Sequence, residues 1–240
     1  MSFKKIYIFK LGSTYQSIKR KFGDFDDWIV KTIGIDIKKV KVIKINEGED
    51  INDIKNCAGV ILTGSHSMVT QNKEWSLKVE KWIPKLIEKE IPVLGICYGH
   101  QLIAKALNGI VDYNSDGEKS GSIKIKLTEE SKNDILFSKL PQKFFVNVSH
   151  AQSVFSLPQE AKILAYDSRN SIYAFRIGKC TWGVQFHPEF DKNIMMEYML
   201  KSHDKKKNLI TKKLPIEKIK NTPYSKKVLK LFYDFVIANM

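Results

Sequence analysis

Residues 91–102 read IPVLGICYGHQL, and the stretch changes character halfway along. Ile91 to Ile96 is apolar on both faces, as a central strand of a parallel sheet must be. Tyr98 to Leu107 instead places Leu102, Ile103 and Ala106 on one helical face. Cys97 therefore falls on a strand-to-helix turn, where a side chain projects above the carboxyl edge of the sheet and open α/β folds hold their ligands. Such a turn is sharp and crowded. Glycine two positions before it and two after it, Gly95 and Gly99, relieves the clash, which is the nucleophile-elbow pattern with cysteine in place of serine. The helix start beneath suits a negatively charged sulfur and offers the N–H of Tyr98 to an oxyanion. The other fate open to a free cysteine is that of a small buried hydrophobe.

Outward from this turn, short apolar runs alternate with longer amphipathic ones, the pattern of strand and helix in a mostly parallel sheet flanked by helices. Strands are expected at 4–11, 40–45, 58–64, 91–96, 122–127, 143–149, 162–167, 172–178 and 181–187. Helices are expected at 75–89, 98–107, 191–202 and 224–238. From 122 to 187 strands follow one another without a clear helix, so an antiparallel region joins the parallel core. The whole chain, 1–240, reads as one α/β domain, with the lysine-rich stretch 203–222 as a surface excursion before a last helix that docks through Val228, Leu229, Phe232 and Phe235.

Composition narrows the setting. With 240 residues and 43% hydrophobic content, the chain can bury a large core. Cys57, Cys97 and Cys180 show neither a disulfide framework nor zinc-type spacing, so reduced thiols and a cytoplasmic setting are expected. The N-terminal apolar run is too short and too charged for a signal-peptide core, and no stretch is long and apolar enough to span a bilayer. The net charge of +14 raises nucleic acid as a partner. The excess is almost all lysine, however, with only Arg20, Arg169 and Arg176 to read phosphates bidentately, and residues 201–240 alone hold eleven lysines against three acids. A solvated surface is the expected reading, with nucleic-acid binding the rival.

A second motif decides how Cys97 is read. TWGVQFHPEF, 181–190, reads as a strand ending in His187, Pro188 and Glu189, and residues two apart on an extended segment point to the same side. Proline stiffens the link and biases His187 toward extended geometry. A carboxylate there can accept from one imidazole nitrogen and leave the other to take a proton from a thiol, as in triad chemistry. His100, three residues after Cys97, lacks such a carboxylate and reads as a packing residue.

GICYGHQL and GVQFHPEF, ninety residues apart from cysteine to histidine, resemble the class I glutamine amidotransferase family, as in the amidotransferase domain of GMP synthase. The segments KLGSTYQSIKRKFGDFDDWI, GVILTGSHSMVTQNKEW and SHAQSV resemble its stand-alone members. The resemblance implies a flavodoxin-like fold and a Cys97–His187–Glu189 triad that hydrolyses the side-chain amide of glutamine without metal or organic cofactor. It implies an oxyanion hole from Tyr98 and the Gly64–Ser65 turn, and contacts to the amino-acid end of the substrate from Gln101, His150, Ala151 and Gln152. The chain carries no GxxxxGK[ST] motif, so ammonia would pass to a separate synthase subunit. Some stand-alone relatives are γ-glutamyl hydrolases, which keeps a γ-glutamyl peptide open as the substrate. Two departures point to altered specificity: Gly117-Glu118-Lys119-Ser120-Gly121 stands where Gly-Arg-Glu-x-Gly is often found, and Gln152 where an acid is common. A catalytically silent protein that binds through its lysines is the expectation from a different class.

Overall fold

The alternation of side chains along β1 (Lys5–Phe9) shows how the molecule is layered. Ile6 and Ile8 face one core and Tyr7 and Phe9 the other, so this strand is buried on both sides. The computed structural model describes residues 4–52, 54–206 and 216–240. Beside β1 lie β2 (Val40–Ile43), β3 (Cys57–Leu62), β4 (Val93–Ile96) and, far away in sequence, β11 (Thr181–Val184), all parallel in the order β2-β1-β3-β4-β11.

The sheet then continues antiparallel from β11 through β10 (Ile172–Ile177), β9 (Lys162–Tyr166) and β6 (Lys119–Leu127) to β7 (Lys143–His150), completing nine strands. The parallel core and antiparallel extension expected from the sequence are both present. A two-stranded ribbon was not expected: β5 (Ile110–Tyr113) pairs with β8 (Gln152–Ser156). The chain crosses from the large sheet to this ribbon at Ala151, a single residue between two strands, too short a break to show in the hydrophobic pattern.

Helices cover both faces. α3 (Glu74–Glu88) and α4 (Tyr98–Ala106) pack Val79, Ile83, Leu86, Leu102 and Ile103 on the Tyr7 side. α2 (Phe25–Ile33) and α6 (Pro223–Ala238) pack Ile29, Ile33, Val228, Leu229, Phe232 and Val236 on the Ile6 side. Each such buried side chain contributes about 2 kcal/mol of apolar burial. α1 (Gln16–Phe22) and α5 (Lys192–Lys206) form a third cluster around Phe25, Trp28, Phe190 and Tyr198.

α1 and α2 are additions to the expected elements. The second was legible, since Asp24 and Asp27 form a reciprocal capping box and Gly34 closes the helix at φ +76°. Of the expected excursion at 203–222, residues 207–215 lie outside the described residues. The stretch after them returns to the body: Ile219 and Thr222 are buried, and the Lys220 N–H donates to Ser122 Oγ at 2.9 Å.

Candidate functional site

β3, β4 and β11 are adjacent and parallel, so whatever follows their carboxyl ends is gathered at one edge of the sheet. Gly64 and Ser65 follow β3, Cys97 follows β4, and His187 lies three residues beyond β11. Sequence distance is thereby erased by strand order. The Cys97 N–H donates to the Val184 carbonyl at 2.8 Å, and the His187 N–H to the Asn147 carbonyl at 2.8 Å, which ties both residues to the sheet.

Cys97 adopts φ +51° and ψ −96°, a conformation that costs a non-glycine residue on the order of 1–3 kcal/mol. The flanking glycines are sterically required. A Cβ on Gly95 would lie 2.5 Å from the Gly99 carbonyl oxygen, and one on Gly99 would lie 2.6 Å from the Leu62 carbonyl oxygen.

His187 and Glu189 are both almost wholly buried, and Glu189 Oε1 accepts from His187 Nδ1 at 2.7 Å. The ring is stacked on Phe190, with centroids 4.0 Å apart and planes 17° from parallel. Burial alone would push the imidazole pKa down. Glu189 and the neighbouring Cys97 overcome that and raise it to about 10, so the ring is a cation at neutral pH. With Nδ1 committed to Glu189, the other ring nitrogen remains for the sulfur. A Cβ on Gly64 would come within 3.0 Å of His187 Cε1, so the turn after β3 closes directly over the imidazole.

The cavity beside Cys97, of about 110 Å³, brings together seven of the expected site residues: Cys97, Tyr98, Gln101, Ser65, His150, Ala151 and Gln152. The other three, Gly64, His187 and Glu189, do not line it. The Ser149 carbonyl accepts from Cys97 Sγ at 3.7 Å. Gln101 Nε2 donates to the Gln152 carbonyl at 2.7 Å and to Gln185 Oε1 at 3.0 Å. The buried Gln152 side chain braces the segment after β3, with Oε1 accepting from the Val69 N–H and Nε2 donating to Thr70 Oγ1.

His150 Nδ1 lies 2.8 Å from the same Gln152 carbonyl, which fixes the proton on Nδ1, and burial holds its pKa down to about 4, so this ring is neutral. Glu118 also lines the cavity, whereas Lys119 turns away to Asp167 and Ser171. Tyr15, His66, Ser67 and Met68 also line it and were missed by sequence reasoning. Their only signal was membership of segments that resemble family relatives.

The remaining conspicuous groups lie elsewhere. His100 is buried against Phe175, with burial pushing its pKa down to about 3. Cys57 and Cys180 are buried free thiols, and burial raises the first to about 12. Among the described residues there is no group of three or more His, Cys, Asp or Glu side chains placed to hold a metal, and no helix is long and apolar enough to cross a membrane.

Residues 22–205 match the family described as glutamine amidotransferase class-I. Gamma-glutamyl peptidase 5 of Arabidopsis thaliana is 28% identical over 198 residues, covering 81% of this chain and 79% of the relative. The glutamine-hydrolyzing GMP synthase subunit of Methanococcus maripaludis is 35% identical over 169 residues, covering 70% and 74%. The GMP synthase of Borrelia garinii is 31% identical over 242 residues, and there the match covers 95% of this chain but 42% of the relative. The crystal structure of a glutamine amidotransferase from Thermotoga maritima superposes with a TM-score of 0.74 over 99% of each chain at 19% identity, which shows a shared fold. The elbow cysteine and the histidine beyond β11 are thus built on a known scaffold, and this chain belongs to the class-I glutamine amidotransferase family.

Proposed function

We propose that the chain is a cysteine-dependent glutaminase that hydrolyses the side-chain amide of glutamine and releases glutamate and ammonia. The observation that carries this reading is the strained Cys97, facing an amino-acid-sized cavity beside an imidazole held at 2.7 Å by a buried carboxylate. The Cys97 sulfur attacks the carboxamide carbon, and the developing oxyanion is taken by the N–H groups of Tyr98 and Ser65, with Gly64 allowing that turn to approach. His187 gives its proton to the leaving nitrogen, the C–N bond breaks, and ammonia departs from a thioester. His187 then takes a proton from water, which adds to the thioester; the C–S bond breaks and glutamate leaves. Glu189 holds the ring in the orientation both steps need.

Gln101, His150 and the backbone of Ala151 and Gln152 form the wall for the amino-acid end of the substrate. The Glu118 carboxylate at the cavity complements an α-ammonium group, which favours a free amino acid. Three buried free cysteines suit a reducing, cytoplasmic setting. The partner consistent with the GMP synthase relatives is a separate synthase subunit that consumes the ammonia.

A γ-glutamyl peptide is the second reading. It is favoured by the peptidase relative and by the cavity rim, where exposed His66 and half-buried Tyr15 and Met68 leave a way out for a larger γ-substituent. A silent lysine-dependent binder has no use for a cysteine held at φ +51°.

The test is glutamate release by the purified chain from glutamine and from a γ-glutamyl dipeptide, with Cys97→Ala as control. Cys97→Ala is expected to abolish turnover of either substrate and keep the fold. A control that turns over at full rate would overturn the mechanism, and a preference for the dipeptide would select the second reading.

A further inference from the structure

Glu189 also lines a second cavity, of about 530 Å³, which shares no lining residue with the one at Cys97 and is of a size that holds small molecules. Lys31 of α2 and Lys226, Lys227 and Lys230 of α6 surround it. None of these four lysines takes part in an ion pair among the described residues, and Lys227 donates instead to the Lys139 carbonyl at 2.9 Å.

Lys226 and Lys227 sit in the first two turns of a 16-residue helix and Lys230 just beyond them; the helix has no acidic residue in its first turn and, among the described residues, no side-chain cap. Lys226, at the end of the first turn, opposes the positive end of the helix dipole, a local cost that a bound anion would offset. The cavity's two carboxylates are already engaged. Asp191 Oδ1 accepts from the Ile194 N–H at the start of α5, and Glu189 Oε1 accepts from His187. Glu189 Oε2 is buried with no hydrogen-bond partner among the described residues. Phe22, Trp28, Ile194 and Pro223 supply apolar wall.

The geometry points to a binding site for a small phosphate monoester, whose oxygens accept from the lysines and whose organic body lies against the apolar wall. A phosphate monoester brings close to two negative charges and three terminal acceptor oxygens, which suits four lysines without ion-pair partners better than the single charge of a carboxylate does. The ligand would lie against the carboxylate that orients His187 and outside the substrate cavity.

The measurement is calorimetric titration of the full-length chain at low ionic strength with phenyl phosphate and, separately, with inorganic phosphate. Phenyl phosphate is expected to saturate one site per chain, and inorganic phosphate to bind the same site more weakly. The double substitution Lys226→Gln with Lys230→Gln is expected to weaken binding at least tenfold, while Lys124→Gln with Lys126→Gln, exposed on β6, changes it less than twofold. Lys31→Gln, on a different helix, carries the same expectation of weakened binding, so misfolding of one variant leaves the test intact. A titration that does not saturate, or a Lys226/Lys230 variant that binds as the unsubstituted chain does, overturns the proposal. Equal affinity for the two probes overturns the ester assignment in favour of free phosphate. Because the readout is binding, failure here is separable from failure of the glutaminase reading.

Discussion

Glu189→Gln isolates how the charge on His187 is set. The substitution keeps an acceptor at the strand end and removes the negative charge. The imidazole pKa is expected to fall from about 10 toward its ordinary value near 6.5, read from the ring protons by NMR titration. Turnover is expected to drop by roughly 10²-fold without vanishing, since the sulfur, the backbone donors and the substrate wall all remain. An unchanged titration would show that the carboxylate does not govern the ring. At this scale the sequence was informative wherever spacing is local: two glycines around a cysteine, and a histidine two residues before a glutamate, carry their geometry with them. Glu118, Gln185 and the Ser149 carbonyl are brought in by sheet register, which a single chain does not spell out.

The elbow works as an element only while α4 can lie against both β4 and β3. Gly99→Ala would drive a methyl group against the Leu62 carbonyl, and about 3 kcal/mol of stability is expected to be lost, a fall in Tm of roughly 6–10 °C. α2 rests on a different device. Asp24 caps it, accepts from the Thr14 N–H at 2.8 Å and pairs with buried Lys10 at 2.9 Å. Burial raises the Asp24 pKa, but Lys10 and the backbone donors outweigh that and hold it at about 2. Because the folded value lies below the ordinary 3.8, the stabilisation is complete above pH ~4 and is lost as pH falls toward 2. Asp24→Asn, which leaves Lys10 with Asp26 alone, is expected to cost about 3 kcal/mol by urea unfolding at neutral pH. Two of the elements that escaped the sequence are short and thinly buried: α1 has seven residues and one buried side chain, and β5 has four residues of which one is buried. Neither is long enough for a period to emerge.

Across the whole molecule, three buried histidines pull stability in opposite directions with pH. His100 and His150 have folded pKa values of about 3 and 4, so the unfolded chain binds protons that the folded chain declines, and stability falls as pH drops below about 6.5. His187 is raised to about 10, so its contribution is complete below about 6.5 and is lost as pH rises through 10. The urea midpoint is therefore expected to be highest near pH 6.5 and to decline on both sides; a midpoint that climbs steadily to pH 9 would show that His187 is not held as a cation. The parallel core and its antiparallel extension were legible at this scale because buried strands read as apolar runs. The placing of β11 beside β4 was not, although it is what joins Cys97 to His187. The positive φ at Cys97 has a consequence for descent. A glycine at that position would relax the backbone and recover about 1 kcal/mol, so a lineage released from the need for turnover would be drawn by stability alone to discard its sulfur. On the proposed glutaminase function, a chain that still keeps cysteine there carries, in its own strain, the record of selection for chemistry.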